Sequence, residues 1–274
     1  VKVVHQTPSS RWYSGSGIYR DVELIVTDAV HVSRNGTYVT TPNLATEKDG
    51  DVTVKVQTDV QNDSSAQAAA QIRTTVLDAE GKAVSKAVTT DVTLAANSTA
   101  EKEQTLKVNK PALWSTENPN LYYVQTEVLV DGKVKDTYKT TYGFRYINFD
   151  ANTGFSLNGK NVKLKGVCMH HDQGALGSAA YRDAMYRQIS ILKNMGVNLI
   201  RATHNPYDED FIDICDELGI LVIEEAFDGW ELAKNGNSND FSVYFNKTLT
   251  NDNEILGGDA SMILSLIHIS EPTR

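Results

Sequence analysis

Three clusters of polar residues contain the side chains of this sequence that are best suited to ligand binding or chemistry. Each cluster follows a separate apolar run and combines groups that hydrogen-bond or carry charge. A neutral imidazole donates from one ring nitrogen and accepts at the other, which suits a hydroxyl group that does both. A carboxylate only accepts, so it suits a hydroxyl donor or a cationic neighbour. The cluster residues are His170, His171, Asp172, His204, Asn205, Glu225 and Asp228.

The carboxylates in these clusters suggest supporting roles as well as direct ones. Glu224 and Glu225 are consecutive, so their side chains point to opposite faces of a strand and only one of them can face a site. We therefore predict that Glu225 and Asp228 support the site by holding Arg201 or a histidine. Two roles stay equally open for Asp172, which either accepts two hydroxyl groups or pairs with Arg201.

The clusters alternate with predicted strands and helices in the order strand, helix, strand, helix, strand. Gly196 and Gly219 follow the two helical patterns, where a glycine commonly ends a helix. Such short alternation predicts parallel strands with right-handed crossovers, in either a doubly wound sheet or a (β/α)8 barrel. The predicted elements are strand 162–169, helix 181–194, strand 197–203, a helix that begins at Pro206, and strand 220–225.

The position of the polar clusters favours the barrel. All three lie at the carboxyl ends of predicted strands, where a (β/α)8 barrel builds its site. No glycine-rich phosphate loop follows the first strand, which disfavours nucleotide binding. We therefore predict that the second half of the chain is the first part of an α/β (β/α)8 TIM barrel.

The first half of the chain has the pattern of an antiparallel β-protein. Runs of alternating valine, isoleucine, threonine and tyrosine are separated by turn residues, which is typical of a β-sandwich. Asp131-Gly132 predicts a hairpin, because both residues accept the positive φ angles of a type I′ turn. The predicted strands are 22–26, 52–60, 69–76, 88–94 and 121–130.

The composition limits the partners. The 274 residues carry a net charge of −9, which disfavours nucleic acid because nucleic acid attracts a basic surface. No apolar run reaches the roughly 18 residues that a membrane span needs. Cys168 and Cys215 have no paired spacing, so neither a disulfide nor a zinc site is indicated, and we expect no cofactor and no metal. The sequence leaves homo-oligomerisation and cell location open.

Several stretches, in order along the chain, resemble a known family. They are residues 11–20, 113–119, 142–145, 157–160, 166–177, 201–206 and 224–228. Together they resemble glycoside hydrolase family 2, and within it the β-galactosidase branch. The resemblance implies a multidomain chain whose parts are the end of a sugar-binding jelly roll (1–27), an immunoglobulin-like β-sandwich (28–147) and the N-terminal part of a catalytic barrel (148–263). Residues 264–274 depart from the family pattern and resemble a translated sequencing adapter.

The resemblance also implies a reaction, in which a retaining glycosidase uses two glutamates about 5 to 5.5 Å apart. In this family the two glutamates follow barrel strands four and seven, whereas this chain stops after strand three. We therefore expect both glutamates to lie beyond the chain and the 274-residue piece alone to be inactive. Asn253-Glu254 looks like the family's acid/base pair, but it follows a polar segment instead of an apolar strand, so we reject it.

Residue roles and a substrate follow from the same resemblance. The variant at residues 169–177 favours terminal β-galactosides as the substrate of the parent enzyme. The alternatives are a β-glucuronidase or β-mannosidase of the same family, or a non-enzymatic carbohydrate-binding β-sandwich. Trp230 either offers an aromatic face to a sugar or packs within its loop. The residues expected to bind substrate are His170, His204, Asn205 and Asp172, and those expected to support them are Arg201, Glu225 and Asp228.

Overall fold

The computed structural model describes Lys2, residues 17–203, residues 206–225 and the two-residue strand Leu264–Ser265. The described residues form two compact units. The sandwich unit contains Glu23–Leu164 together with Asp216–Leu221. Among the described residues, the strand–helix unit contains Lys165–Cys215, residues 222–225, Leu264–Ser265 and the residues before Glu23.

The sandwich unit is built from two antiparallel sheets of three and four strands. The strand order is β1-β2-β5 in one sheet and β4-β3-β6-β7 in the other. A single helical turn, α1, joins the first two strands. The elements are β1 (Val30–Thr40), α1 (Leu44–Glu47), β2 (Asp51–Asn62), β3 (Ala68–Leu77), β4 (Val88–Leu94), β5 (Ser98–Asn109), β6 (Tyr122–Val130) and β7 (Lys133–Tyr142).

The core of this unit follows from the alternation of its strands. In β2 every second side chain is buried, so one face is covered and the other meets solvent. Buried residues from both sheets share one core cluster, including Val54 from β2 and Val124 from β6. Phe144 is fully buried in it and lies edge-on to the rings of Tyr122 and Tyr142, at centroid distances of 4.9 Å and 5.2 Å. The β-sandwich prediction is confirmed.

The predicted hairpin is confirmed, and other local predictions need correction. Asp131 and Gly132 have φ angles of 51° and 72° and join β6 to β7. Residues 22–26 form no strand, and Leu24 is 90% exposed. An alternating apolar segment forms a strand only where a sheet edge pairs with it, and none of the described residues does so here. Strands β1, β5 and β7 were not predicted.

A small three-stranded sheet follows the sandwich strands along the chain. Its order is β10-β9-β8, with β8 (Ile147–Asp150), β9 (Gly154–Leu157) and β10 (Lys160–Asn161). The Asp150 carboxylate closes the turn between β8 and β9, because its Oδ1 accepts the backbone N–H groups of Asn152 and Thr153 at 2.9 and 2.8 Å. The sequence pattern did not predict this sheet.

The strand–helix unit has the predicted alternation. Strands β11 and β12 are parallel, with Cys168 opposite Arg201, and the sheet order is β11-β12-β13-β14. Helix α3 begins three residues later than Pro206, where we predicted its start. The elements are β11 (Gly166–Met169), a 3-10 turn (Gly174–Leu176), α2 (Arg182–Asn194), β12 (Leu199–Ala202), α3 (Glu209–Leu218), β13 (Leu221–Glu225) and β14 (Leu264–Ser265).

Both long helices end at the predicted glycines. Gly196 and Gly219 have φ angles of 89° and 69°, the left-handed conformation that a residue after a helix adopts. The spacing of Met185, Ile189, Leu192 and Met195 predicts one apolar face on α2, but only Met185 and Ile189 are buried and Met195 is 74% exposed. Within the described ranges, no helix has the length and apolar character needed to cross a membrane.

Candidate functional site

The first two parallel strands end side by side at one edge of the sheet, and the first predicted polar cluster begins there. Met169 lies opposite Ala202, and the Thr203 backbone N–H donates to the Met169 carbonyl at 2.9 Å. The loops that leave β11 and β12 therefore start side by side. His170 and His171 are half-buried directly after β11. The predicted site residues His204, Asn205 and Asp228, and Trp230, lie outside the described residues.

Arg201 lies on β12 between its two neighbouring strands. Its guanidinium contacts the buried carboxylate of Glu225 on β13 and the sulfur of Cys168 on β11, the latter at 3.8 Å. Burial by itself would lower the pKa of Arg201, but the contacts with the Cys168 sulfur and the Glu225 carboxylate have the larger combined effect and raise it. Of the two roles considered for Asp172, pairing with Arg201 is not observed, since no ion pair joins them in the described part of the chain.

Asp172 organises its own loop. Its backbone N–H donates to the His170 carbonyl at 2.7 Å, and its Oδ1 accepts the Gly174 N–H at 2.8 Å. Gln188 of α2 donates to the Asp172 carbonyl at 3.1 Å. The carboxylate is exposed at the surface of the loop. Asp172 therefore lies where a ligand can reach it, on a loop that its own hydrogen bonds shape.

His171 is held among aromatic rings. Its ring stacks on Tyr207 with centroids 4.0 Å apart and an angle of 27° between the planes. Tyr19 meets the same imidazole edge-on at 5.7 Å. Sequence reasoning assigned no role to either tyrosine. The only sequence signal for Tyr207 is an aromatic residue directly after Pro206, at a strand end that already carries polar residues.

Tyr207 also connects to the third strand. Its backbone N–H donates to Glu224 Oε1 at 2.7 Å, while the neighbouring Glu225 reaches Arg201, so the two consecutive glutamates point to opposite faces of β13 as strand geometry requires. Burial raises the pKa of Tyr207, and the charge of Glu224 raises it further. The phenol therefore stays protonated and able to donate at any ordinary pH.

Among the described residues, no group of three or more histidine, cysteine, aspartate or glutamate side chains lies close enough together to hold a metal ion. Cys168 is exposed and Cys215 is buried, and no disulfide joins them. What the described strand ends do offer is hydrogen-bonding side chains beside an ion pair, an arrangement that suits a polar, uncharged ligand.

The described residues form a sandwich of seven strands followed by parallel β/α units, with polar residues at the strand ends where a (β/α)8 barrel builds its active site. Two family models match the chain: "Glycosyl hydrolases family 2" over residues 30–145 and "Glycosyl hydrolases family 2, TIM barrel domain" over residues 151–268. The chain belongs to glycoside hydrolase family 2. The second match identifies the strand–helix unit as the start of a TIM barrel, which confirms the predicted fold class.

Similar proteins support the same conclusion. A β-galactosidase of Bacteroides ovatus is 39% identical over 88% of this chain and 28% of its own length. A β-glucuronidase of Bacteroides fragilis is 31% identical over 76% of this chain and 30% of its own length. The crystal structure of a family 2 member from Bacteroides cellulosilyticus has 37% identity and a TM-score of 0.81, over 97% of this chain and 32% of its own. The chain thus spans less than a third of each of these proteins.

Proposed function

We propose that the longer protein containing this chain is a retaining glycoside hydrolase that cleaves terminal β-galactosides. The observation that carries the proposal is the pair of parallel strand ends in a family 2 barrel, with His170 and Asp172 on the loop after β11 and Arg201 on β12. Imidazole and carboxylate groups there can hold sugar hydroxyls. The domain boundaries at residues 27, 147 and 263 are part of this proposal.

The proposed mechanism divides the work between this chain and the remainder of the barrel. One glutamate protonates the leaving oxygen while the other attacks the anomeric carbon, and water then releases the sugar from the covalent intermediate. We place both glutamates on barrel strands beyond this chain. His170, His204, Asn205 and Asp172 are proposed to hold the hydroxyls of the terminal sugar, with Arg201, Glu225 and Asp228 supporting them.

A neutral sugar fits the described side chains better than a uronate does. A β-glucuronide brings a carboxylate that needs a cation, and the guanidinium of Arg201 is already occupied by Glu225. The β-glucuronidases among the relatives nevertheless make β-glucuronides the second candidate substrate. The closely matching β-galactosidase of Bacteroides ovatus supports the first.

The test is an assay of the full-length enzyme on chromogenic β-galactoside, β-glucuronide and β-mannoside. We expect hydrolysis of the β-galactoside at the highest kcat/KM. A higher kcat/KM on the β-glucuronide would make β-glucuronides the proposed substrate instead. Hydrolysis of none of the three would favour a non-enzymatic carbohydrate-binding protein. The 274-residue chain alone is expected to show no turnover, and turnover by it would contradict the placement of the two glutamates.

Three variants of the full-length enzyme test the proposed sugar contacts. His170→Ala should lower kcat/KM by about 10- to 1000-fold, the range expected for losing a hydrogen bond to a buried sugar hydroxyl. Asp172→Asn keeps the acceptor for the Gly174 N–H and removes only the charge, so a loss in kcat/KM would reflect the sugar contact. Asp183→Asn, in the first turn of α2, is the matched control and should leave kcat/KM unchanged.

A further inference from the structure

A small cavity lies between the loop after β11 and the start of α3. Its lining includes His171, Gln173, Gln188, Tyr207 and Phe211, and its volume is about 20 Å³. A cavity needs roughly 10 to 15 Å³ on the same measure to hold one water molecule, together with two to four polar partners. This cavity is therefore the size of a single water.

Two of the residues that line this cavity each carry a buried polar atom that needs such a partner. The hydroxyl of Tyr207 and Oε1 of Gln173 are buried and have no hydrogen-bond partner among the described residues. Tyr207 as a whole is only 6% exposed. Buried polar groups in folded proteins are nearly always hydrogen-bonded to protein or to an ordered water. A water here would accept from the phenol and donate to the Gln173 oxygen.

The ring of Tyr207 fixes the same loop from another side. It stacks on His171 and rests on Phe211 of α3 at 4.4 Å between centroids. Its backbone N–H is bound by Glu224 of β13. Tyr207 therefore connects the loop after β11 to both α3 and β13. His170, the proposed sugar ligand, is the residue next to His171.

We propose that Tyr207 is a positioning residue, which holds the loop bearing His170 and Asp172 through its stack on His171 and through one bound water shared with Gln173. Tyr207 does not itself touch the sugar. The inference rests on the proposed function, because it assigns a role in binding the same sugar. Displacing a binding group by about 1 Å can cost on the order of 100-fold in rate, so a change at this tyrosine has a measurable effect.

The kinetic test uses variants of the full-length enzyme on its best chromogenic glycoside. Tyr207→Leu removes the stack and the hydroxyl, and it should raise KM by about tenfold or more because the sugar ligands lose their position. Tyr207→Phe retains the ring and loses only the hydrogen bond to the water, so its KM should rise by about two- to fivefold over wild type. Tyr186→Leu is the control, since Tyr186 lies 42% exposed on α2, and KM should stay within about twofold of wild type.

The change in KM separates positioning from a purely structural role. A tyrosine that only stabilises the fold would lower the melting temperature and the fraction of active enzyme but would leave KM unchanged. A wild-type KM for Tyr207→Leu, measured well below its melting temperature, would overturn the positioning role. If Tyr207→Leu does not fold, the comparison of Tyr207→Phe and Gln173→Ala with wild type replaces it, and a KM of wild-type value in both variants would overturn the shared water.

Crystal structures of the full-length wild type and Tyr207→Phe test the inference without relying on turnover. We expect an ordered water within about 3.2 Å of both the Tyr207 hydroxyl and Gln173 Oε1 in the wild type, and its loss in Tyr207→Phe. An empty cavity in the wild type would overturn the water site. If the enzyme hydrolyses no glycoside in the panel, the proposed function fails, whereas the water and the loop position are still decided by these structures.

Discussion

The central strands β2 and β12 belong to different units and bury their side chains in different ways. In β2 burial alternates, so one face packs and the other is solvated. In β12 three of the four residues, Leu199, Ile200 and Ala202, are buried, and they include both faces of the strand. Antiparallel sheets tolerate a wet face, whereas parallel sheets of α/β proteins need cover on both. A sandwich strand therefore needs a packed layer on one face only, and a barrel strand needs a packed layer on each face.

Strand β11 shows what that requirement means for this chain. It pairs with β12 on one edge, no strand pairs with its other edge among the described residues, and none of its four residues is buried. The sandwich unit closes its core with its own strands, whereas the described strands of the barrel unit form an open sheet of four strands. The residues proposed to bind substrate lie in the second kind of unit, where side chains remain available for a ligand.

The largest expected effect separates the two units directly. In the 274-residue chain, backbone amides of β2 and β5 should exchange with deuterium at least about 1000-fold more slowly than those of β11, because core amides exchange only through global unfolding while poorly covered strands open locally. Hydrogen-exchange mass spectrometry resolves the two segments. Equal protection of β2 and β11 would contradict the proposed difference in stability, since it would show that both units unfold together.

A pair of phenylalanines tests the closed core of the sandwich. Phe144→Ala removes a fully buried ring with two edge-on tyrosine neighbours and should lower the free energy of unfolding by about 3 to 5 kcal/mol. Phe149→Ala is the matched control, because Phe149 is 52% exposed in β8 and should cost about 1 kcal/mol or less. Urea unfolding of both variants gives the two values. Similar losses would mean that the cluster around Phe144 does not hold the sandwich together.

The two glycines that end the long helices test where the sandwich unit stops. Gly219 clusters with the sandwich, and an added Cβ would lie 2.6 Å from the Thr116 carbonyl oxygen. Gly196 lies in the other unit, and a Cβ added there would have no neighbouring atom within 4 Å. Because both have positive φ, alanine costs about 1 kcal/mol at either, and the clash raises the expected cost at Gly219 to about 3 kcal/mol.

Thermal unfolding monitored by the sandwich tryptophan Trp114 measures this difference. The Trp114 indole donates to the Asp216 carbonyl at 2.9 Å, so it reports on the same segment as Gly219. Gly219→Ala should lower the midpoint of that transition, and Gly196→Ala should shift it little. An equal shift for both glycines would show that the backbone near Thr116 yields, and that residues 216–221 are not part of the sandwich core.

Much of the fold could be predicted where local signals decide it. The β6–β7 hairpin follows from Asp131-Gly132, and the helix ends follow from two glycines, because each depends on the φ angles of one or two residues. Strand β5 escaped prediction because charged residues fill its solvent face and only its second half has buried positions. Residues 22–26 were wrongly predicted as a strand for the opposite reason. Their apolar alternation is strong, but no strand pairs with them in the described ranges.

For the candidate site, the sequence predicted the types of residue and their positions along the chain, but not the contacts between them. Placing His170 and Asp172 after one strand needed only the order of elements. The stack of His171 on Tyr207 joins two different β/α units, and nothing local in either unit specifies it. The cavity beside Gln173 likewise depends on how the loop after β11 packs against α3. Contacts of this kind are set by tertiary packing, which sequence periodicity does not describe.

The smallest expected effect concerns the turn that Asp150 closes, in the small sheet of β8, β9 and β10 within the sandwich unit. The N–H groups of Thr153 and Asn152 and the Thr153 hydroxyl hold the pKa of this carboxyl below its usual range. Since its pKa is lower in the folded state than in the unfolded state, the ionised carboxylate stabilises the fold above its unfolded pKa, and this contribution disappears as the pH falls through the folded pKa.

Asp150→Asn should therefore be slightly less stable than wild type near pH 7 and equal to it near pH 2 by urea unfolding. Thr153→Val, which removes the hydroxyl donor, should reduce the same pH dependence in part. If neither variant alters the sandwich transition at any pH, the small sheet of β8, β9 and β10 unfolds separately, and the border of the sandwich unit lies before Ile147.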